Sequence, residues 1–402
     1  MKLPRAPWQD RPGLARLLDV LGAGEGETRY VGGCVRDTLL GLDVSDIDLA
    51  TRLAPEEVVA RLRKAKIKAV PTGIAHGTVT AVCEGSPVEV TTLRRDVATD
   101  GRHATVAFTD DWADDAARRD FTINALSADP RTLEAFDYFG GLDDVEKRLV
   151  RFIGDPLTRI AEDHLRILRF FRFHARFGVG APDPESLEAC TVRANDLMAL
   201  SRERIADELL KLLALADPAP TVALMVERGI VRPVVPEIEA EGVARLTALG
   251  EREAAAGLPG DPLRRFAALL PAEPDTAGAV GTRLRLSNKA VKRLVSAAGR
   301  SDEDAAPPPV LAYRLGRVEA IDRLLLGSGD PAEALSIQNW ERPHLSISGG
   351  TLIEYGLTPP PAVAKAMQEV QRRWSDAGFP ADKTAQAGLA RQVVADALGH
   401  GR

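Results

Sequence analysis

The segment Tyr30–Thr51, YVGGCVRDTLLGLDVSDIDLAT, limits most tightly what this chain can fold into. It reads as a short strand, a glycine turn, a helix, a second turn and a strand bearing two aspartates. Asp46 and Asp48 stand two residues apart, and strand side chains alternate faces, so both carboxylates point the same way. Adjacent carboxylates repel unless something positive lies between them, and a divalent metal is the usual answer. Upstream, Gly32 and Gly33 let the backbone approach a ligand closely at a helix start, where free N–H groups favour phosphate. Arg36 and Asp37 follow one turn later. A phosphate cradle and metal carboxylates within one unit predict a nucleotide enzyme.

An Asp-x-Asp pair alone is common, and two specific rivals are checkable. A calcium-binding EF-hand loop needs a glycine and a distal glutamate at fixed spacing, and Asp43–Leu49 supplies neither. A haloacid-dehalogenase-type phosphatase motif needs Thr or Val two residues after the second aspartate, where this chain has Ala50. Both fail.

With 402 residues the chain exceeds one ordinary core, and about two to four domains are expected. Its hydrophobic fraction of 45% and charged fraction of 27% are those of a soluble globular protein. The net charge of −6 gives no global electrostatic case for nucleic acid, so any such surface must be local. Cys34, Cys83 and Cys190 are widely spaced, which fits a reducing compartment and no zinc motif. No apolar run approaches the roughly 18 residues of a membrane span and no signal-peptide core is present. The expected location is the cytoplasm.

Pattern along the chain predicts a leading helix over Gly13–Leu21, a helix over Pro55–Lys64, and strands at Ile67–Val70, Thr78–Cys83 and Pro87–Thr92. Glu89 lies in the last strand. It reads either as the solvent side of an edge strand or as a third metal ligand beside Asp46 and Asp48. Leu93–Asp111 is polar and predicts a mobile surface loop. Asp114–Leu126 predicts a helix bearing Arg118, Arg119, Asp120 and Asn124. After Asp155 the chain turns helical, and Leu157–Phe177 reads as one largely buried helix. Within it Asp163, Arg166, Arg169 and Arg172 recur at spacing three. Arginines are rarely fully buried unpaired, so these must face a cleft or find anions. Helices follow at Ser201–Leu215, Thr221–Arg228, Val243–Gly257, Pro262–Leu270 and Ser287–Ala298. Ala305–Pro309 is the clearest linker, and Gly349–Gly350 marks a turn before a helix that starts after Pro359–Pro361.

Four stretches in order, GGCVRDTLLGLDVSDIDLAT, RRDFTINAL, DYFGGLDDVEKRLVRFIGDP and EDHLRILRFFRF, resemble the successive motifs of class II tRNA nucleotidyltransferases and poly(A) polymerases. The likeness runs through residues 28–215 and touches SRERIADEL at Ser201–Leu209. It implies an α+β fold in which a nucleotidyltransferase head with a mixed β-sheet precedes an all-helical neck, body and tail. The expected divisions are 1–152, 153–215, 216–306 and 307–402, the last binding tRNA. By the same resemblance Asp46, Asp48 and Glu89 hold two Mg²⁺ ions. Gly32, Gly33, Arg36 and Asp37 belong to the triphosphate cradle, and Arg119, Asp120 and Asn124 serve ribose and phosphates. Asp163 accepts from the exocyclic amine shared by cytosine and adenine while Arg166 donates to the neighbouring ring acceptor. Arg169 and Arg172 suit phosphates or the orientation of Asp163.

Within the family, the segment Arg94–His103 matches a flexible lever that CC-adding enzymes lack in part. The basic G-[RK]-[RK]-F element and long basic tail of bacterial poly(A) polymerases are missing from Pro71–Val82 and from the short LGHGR end. No His-Asp dipeptide marks a phosphohydrolase domain. The expectation is addition of C, C and A from CTP and ATP to the 3′ end of tRNA. The alternatives are polyadenylation, A-addition alone, or a non-catalytic RNA-binding relative. In the tail, Pro360 and Ala364 stand where relatives carry glycine, which weakens an expected backbone contact to RNA because proline has no N–H.

Overall fold

The computed structural model describes residues 1–99 and 104–399, and Asp100–His103 and His400–Arg402 lie outside the described residues. The chain forms two compact units, residues 1–236 and 237–402. No helix among the described residues is long and apolar enough to cross a membrane.

The first unit is built on strands β1 (Thr28–Val31), β2 (Asp48–Thr51), β3 (Lys68–Gly73), β4 (Thr78–Cys83), β5 (Ser86–Thr92), β6 (Arg94–Thr99), β7 (Ala104–Phe108), β8 (Ser127–Ala128) and β9 (Ala135–Phe136). Seven of them make one sheet in the order β3-β4-β5-β2-β1-β8-β9. β2 and β5 run parallel and their neighbours antiparallel, so the sheet is mixed as expected. The parallel register places Asp48 beside Glu89. Because β5 lies between β4 and β2, Glu89 is not on an edge strand. Leu49, Ala50, Val79, Ala81, Val88 and Val90 are buried along this part of the sheet, so the acids at its end are carried on a stiff platform.

Among the described residues the run expected as a loop over Leu93–Asp111 is largely strand, and Asp100–His103, part of the expected lever Arg94–His103, lie outside them. β6 and β7 pair as an antiparallel hairpin separate from the main sheet. Sparse apolar periodicity hid it, because a two-stranded ribbon has no core face to pattern. The expected helix over Asp114–Leu126 is also divided. Trp112–Ala117 is helical, capped by the Asp111 side chain, and Thr122–Asn124 is a single 3₁₀ turn. The DYFGGLDD stretch supports that turn. An added Cβ at Gly141 would lie 2.3 Å from the Thr122 carbonyl oxygen, so only glycine permits the approach. Asp144 accepts from the Thr122 hydroxyl and pairs with Arg151.

A second correction falls on the predicted helix 157–177. It is two helices, Pro156–Glu162 and Arg166–Phe177, and Asp163 lies in extended backbone between them. The Asp163 side chain accepts from Leu165 N–H at 3.1 Å, the local bond by which Asp competes with helix continuation. Phe121, Phe152, Phe170, Phe173 and Phe177 then stack in tilted and parallel pairs 5.0–5.8 Å apart, locking the second helix onto the end of the sheet domain.

The second unit is helical. Observed helices include Ala240–Ala255, Pro262–Leu269, Pro274–Arg283 and Asn288–Ala298, the last with Ser287 accepting from Ala290 N–H. The proline run read as a linker instead starts the helix Pro308–Leu315, since proline at the first helical positions has no N–H that needs a partner. Leu249, Ala256 and Ala268 share one core with Leu311, Ala320 and Leu324. Gly349 and Gly350 open the helix Gly349–Glu354 behind a Ser348 cap, where a turn was expected. Pro360 opens the helix Pro360–Asp376, and Ala364 lies inside it.

Candidate nucleotide site

Three separated segments converge on a cavity of about 400 Å³ in the first unit. Gly32, Gly33 and Arg36 come from the turn and helix after β1. Arg119, Asp120 and Asn124 come from the 3₁₀ region, and Asp163, Arg166, Arg169 and Phe173 from the helix break and the helix beyond it. All of these except Phe173 were expected from the sequence. Phe173 follows the same apolar spacing as the core phenylalanines around it, so pattern alone did not single it out.

Gly32 has φ +68° and ψ −123°, a conformation that residues with a Cβ avoid. A Cβ there would also stand 2.9 Å from the Arg119 guanidinium. The turn therefore needs glycine for its backbone, and a Cβ there would displace the arginine end that lies across it.

Behind the cavity runs a chain of buried charge. Arg36 is buried, donates from Nε to Asp37 at 2.7 Å, and donates to the Asn124 side-chain oxygen Oδ1. Its ring neighbours Phe173 and Phe177 stand under the guanidinium, and burial lowers its pKa despite the Asp37 pair. Asn124 donates to Asp120 at 2.8 Å, and Arg169 grips the same carboxylate at 2.6 and 2.9 Å. Burial alone would raise the Asp120 pKa, yet Arg169 and Asn124 hold it below the ordinary value. Asp37 lies off the cavity wall, pairing with Arg36 and 3.6 Å from Arg176. Arg172 also lies off the wall, paired at 2.6 Å with the buried Glu208.

The two residues expected to read a base meet at the cavity, each already engaged. Arg204 donates to Asp163 Oδ2 at 2.8 Å. Arg166 pairs with Glu162 and donates to the Arg159 and Arg118 carbonyls. Neither Glu162 nor Arg204 was singled out from the sequence. Both stand inside stretches that carried the family resemblance, EDHLR and SRERIADEL, and that was the available signal.

Asp46, Asp48 and Glu89 do not line this cavity. Asp48 begins β2, while Asp46 lies just before it, outside the strand, and bonds the Ser45 hydroxyl. Arg11 holds the preceding backbone through the Val44 and Ser45 carbonyls. Burial, with Glu89 and Asp46 nearby, pushes the Asp48 carboxyl up to about 6. None of the three is ion-paired among the described residues, and they do not close into a three-ligand cluster in this conformation. Hard oxygen donors, mutual repulsion and no arginine or lysine pair are the properties of a divalent-cation site, so the donor set fits such an ion.

A family profile described as "Poly A polymerase head domain" matches residues 28–151, and one described as "Probable RNA and SrmB- binding site of polymerase A" matches residues 181–241. The Mus musculus protein "CCA tRNA nucleotidyltransferase 1, mitochondrial" is 33% identical over 403 residues, covering 95% of this chain and 91% of its own. The chain belongs to the tRNA nucleotidyltransferase and poly(A) polymerase family. The CCA-adding enzyme of Limosilactobacillus fermentum is 31% identical over 399 residues, covering 93% of this chain and 94% of its own. The crystal structure of the Bacillus stearothermophilus CCA-adding enzyme in complex with CTP superposes with a TM-score of 0.73 at 25% identity. That match covers 95% of this chain and 98% of the other. The nucleotidyltransferase head is thus the mixed-sheet domain, and the helical remainder follows the same family fold.

Proposed function

We propose that this family member adds C, C and A from CTP and ATP to the 3′ end of tRNA without a nucleic-acid template. The observation that carries this is the single cavity in which a glycine turn, a buried arginine–asparagine network and the Asp163–Arg166 pair meet. The names and extent of the similar proteins support the substrate assignment. In the reaction the tRNA 3′-hydroxyl attacks the α-phosphate, forming the O3′–P bond and breaking the bond to pyrophosphate. Asp46, Asp48 and Glu89 would hold divalent metal, two Mg²⁺ ions in our reading, which when bound supplies acidification of the hydroxyl and neutralisation of the leaving charge.

The chain's own residues do the choosing. Gly32 and Gly33 leave room for phosphate oxygens beside Arg36 and Arg119. Asp120 and Asn124 keep Arg36 and Arg169 aimed at the cavity. Asp163 accepts from the exocyclic amine of cytosine or adenine, while uracil and guanine would set lone pair against lone pair. The four-part division into head, neck, body and tail belongs to the same proposal, with tRNA held by phosphate contacts in the helical parts. We place the enzyme in the cytoplasm, for which the three free, buried cysteines are the support.

The test is extension of tRNA lacking CCA by the purified protein with Mg²⁺, CTP and ATP. Three added residues are expected. No incorporation, or long tails with ATP alone, overturns the assignment. Asp163→Ala and Arg166→Ala are each expected to admit UTP or GTP at the same primer, and unchanged preference refutes base reading by these side chains.

A further inference from the structure

Asp163 enters the cavity from extended backbone, φ −151° and ψ 107°, so no helix packing sets the direction of its carboxylate. Two donors set it instead. Leu165 N–H holds Oδ1 at 3.1 Å, and the Arg204 guanidinium holds Oδ2 at 2.8 Å. Arg204 is not part of the cavity wall. It stands behind Asp163 on the helix Arg202–Leu213, whose next turn carries Glu208 on the same face. Glu208 is buried, pairs with Arg172 at 2.6 Å and lies 3.9 Å from Arg169, which in turn grips Asp120. The helix bearing Arg204 is therefore pinned to the base-reading helix one turn from the contact.

We propose that Arg204 is a positioning residue that sets nucleobase specificity by fixing the Asp163 carboxylate. This rests on the reading of Asp163 as the acceptor for the exocyclic amine. With Oδ2 tied to Arg204, the carboxylate cannot turn its lone pairs away from the cavity. An amine meets a fixed acceptor, and a carbonyl at the same place meets unrelieved repulsion. Without Arg204 only the 3.1 Å Leu165 N–H contact restrains the side chain, Oδ2 can turn away from the cavity, and the penalty against uracil and guanine is relaxed. A role confined to stability would instead lower every nucleotide's incorporation together.

The experiment measures kcat/KM for all four nucleoside triphosphates with the full chain, on tRNA lacking CCA and on tRNA ending in CC. Wild type, Arg204→Ala, Arg204→Lys, Asp163→Ala and the Arg204→Ala/Asp163→Ala double variant are compared. Arg204→Ala is expected to lower the CTP:UTP and ATP:GTP ratios by about tenfold or more, the size of one lost polar discrimination. Arg204→Lys, with one ammonium for Oδ2, should fall between. In the Asp163→Ala background, loss of Arg204 should change neither ratio further, because it acts through that carboxylate. Unchanged ratios in Arg204→Ala, or independent additive effects in the double variant, overturn the proposal. If Arg204→Ala does not fold, unchanged ratios in Arg204→Lys do so. Failure of wild type to incorporate CTP would count against the proposed function itself, a separable outcome.

Discussion

Asp48 shows how a single residue can be unfavourable for the fold and necessary for the chemistry. Its folded-state pKa lies at about 6, above that of an unfolded aspartate near 3.9, so ionising it costs stability as pH rises between those values. Above pH 6 the apo protein carries the whole penalty, and a bound cation would relieve it. Asp48→Asn is therefore expected to abolish incorporation while raising the melting temperature of the metal-free protein by a few degrees at pH 7. A lowered melting temperature in calorimetry would contradict the electrostatic account. Asp120 has the opposite sign. Its depressed pKa means that the Arg169 pair stabilises the fold above the unfolded value and is lost as pH falls through the folded one. Asp120→Ala removes the close partner of the half-buried Arg169 and leaves it only Glu208 at 3.9 Å, with an expected cost of about 1–3 kcal/mol at pH 7. Urea titrations should show that difference shrinking below about pH 4.

At the scale of elements, the hairpin β6–β7 is tied to the nucleotide site through one carboxylate. Asp115 accepts from Arg94 N–H at the start of β6 and pairs with both Arg118 and Arg119. Burial would raise its pKa, and the two arginines hold it low instead. Arg119 then lies across Gly32 in the cavity. If the hairpin is the lever implied by family resemblance, Asp115→Asn should slow A addition to tRNA ending in CC by about tenfold more than it slows C addition. Equal losses in single-turnover assays would show only a general role. Gly32→Ala acts on the same contact from the other side. It should raise the KM for CTP and ATP by at least about tenfold, a strained backbone and a 2.9 Å approach being imposed together.

Over the whole molecule, each compact unit has its own buried charge network. In the second unit Asp322 is buried between Arg264, at 3.0 Å, and Arg293, at 2.6 Å, while Glu253 holds Arg264 and Arg265. Arg293 shares the helix Asn288–Ala298 with Lys289 and Lys292 but is itself part of this interior network. Asp322→Ala should therefore destabilise residues 237–402 by about 3–5 kcal/mol. Limited proteolysis should cut that unit first, whereas Asp120→Ala should expose residues 1–236. Identical cleavage patterns would mean that the units unfold together.

What the sequence determined by itself is what local spacing encodes. Strand patterning put Asp48 and Glu89 in strands, although Asp46, expected on the same strand face as Asp48, falls just before β2, and the double glycine before Cys34 marked a turn that tolerates no Cβ at Gly32. Motif order brought nearly the whole cavity wall to notice before any contact was known. What only the tertiary structure decided is partnership. An arginine at regular spacing can face a ligand or a buried acid with the same periodicity. Arg166 and Arg169 reached the cavity, whereas Arg172 found Glu208, 36 residues away. The break at Asp163 and its contact with Arg204 were hidden for the same reason. Each depends on a donor brought in by a distant helix, and the energy of such a pair resides in a distance that no local pattern records.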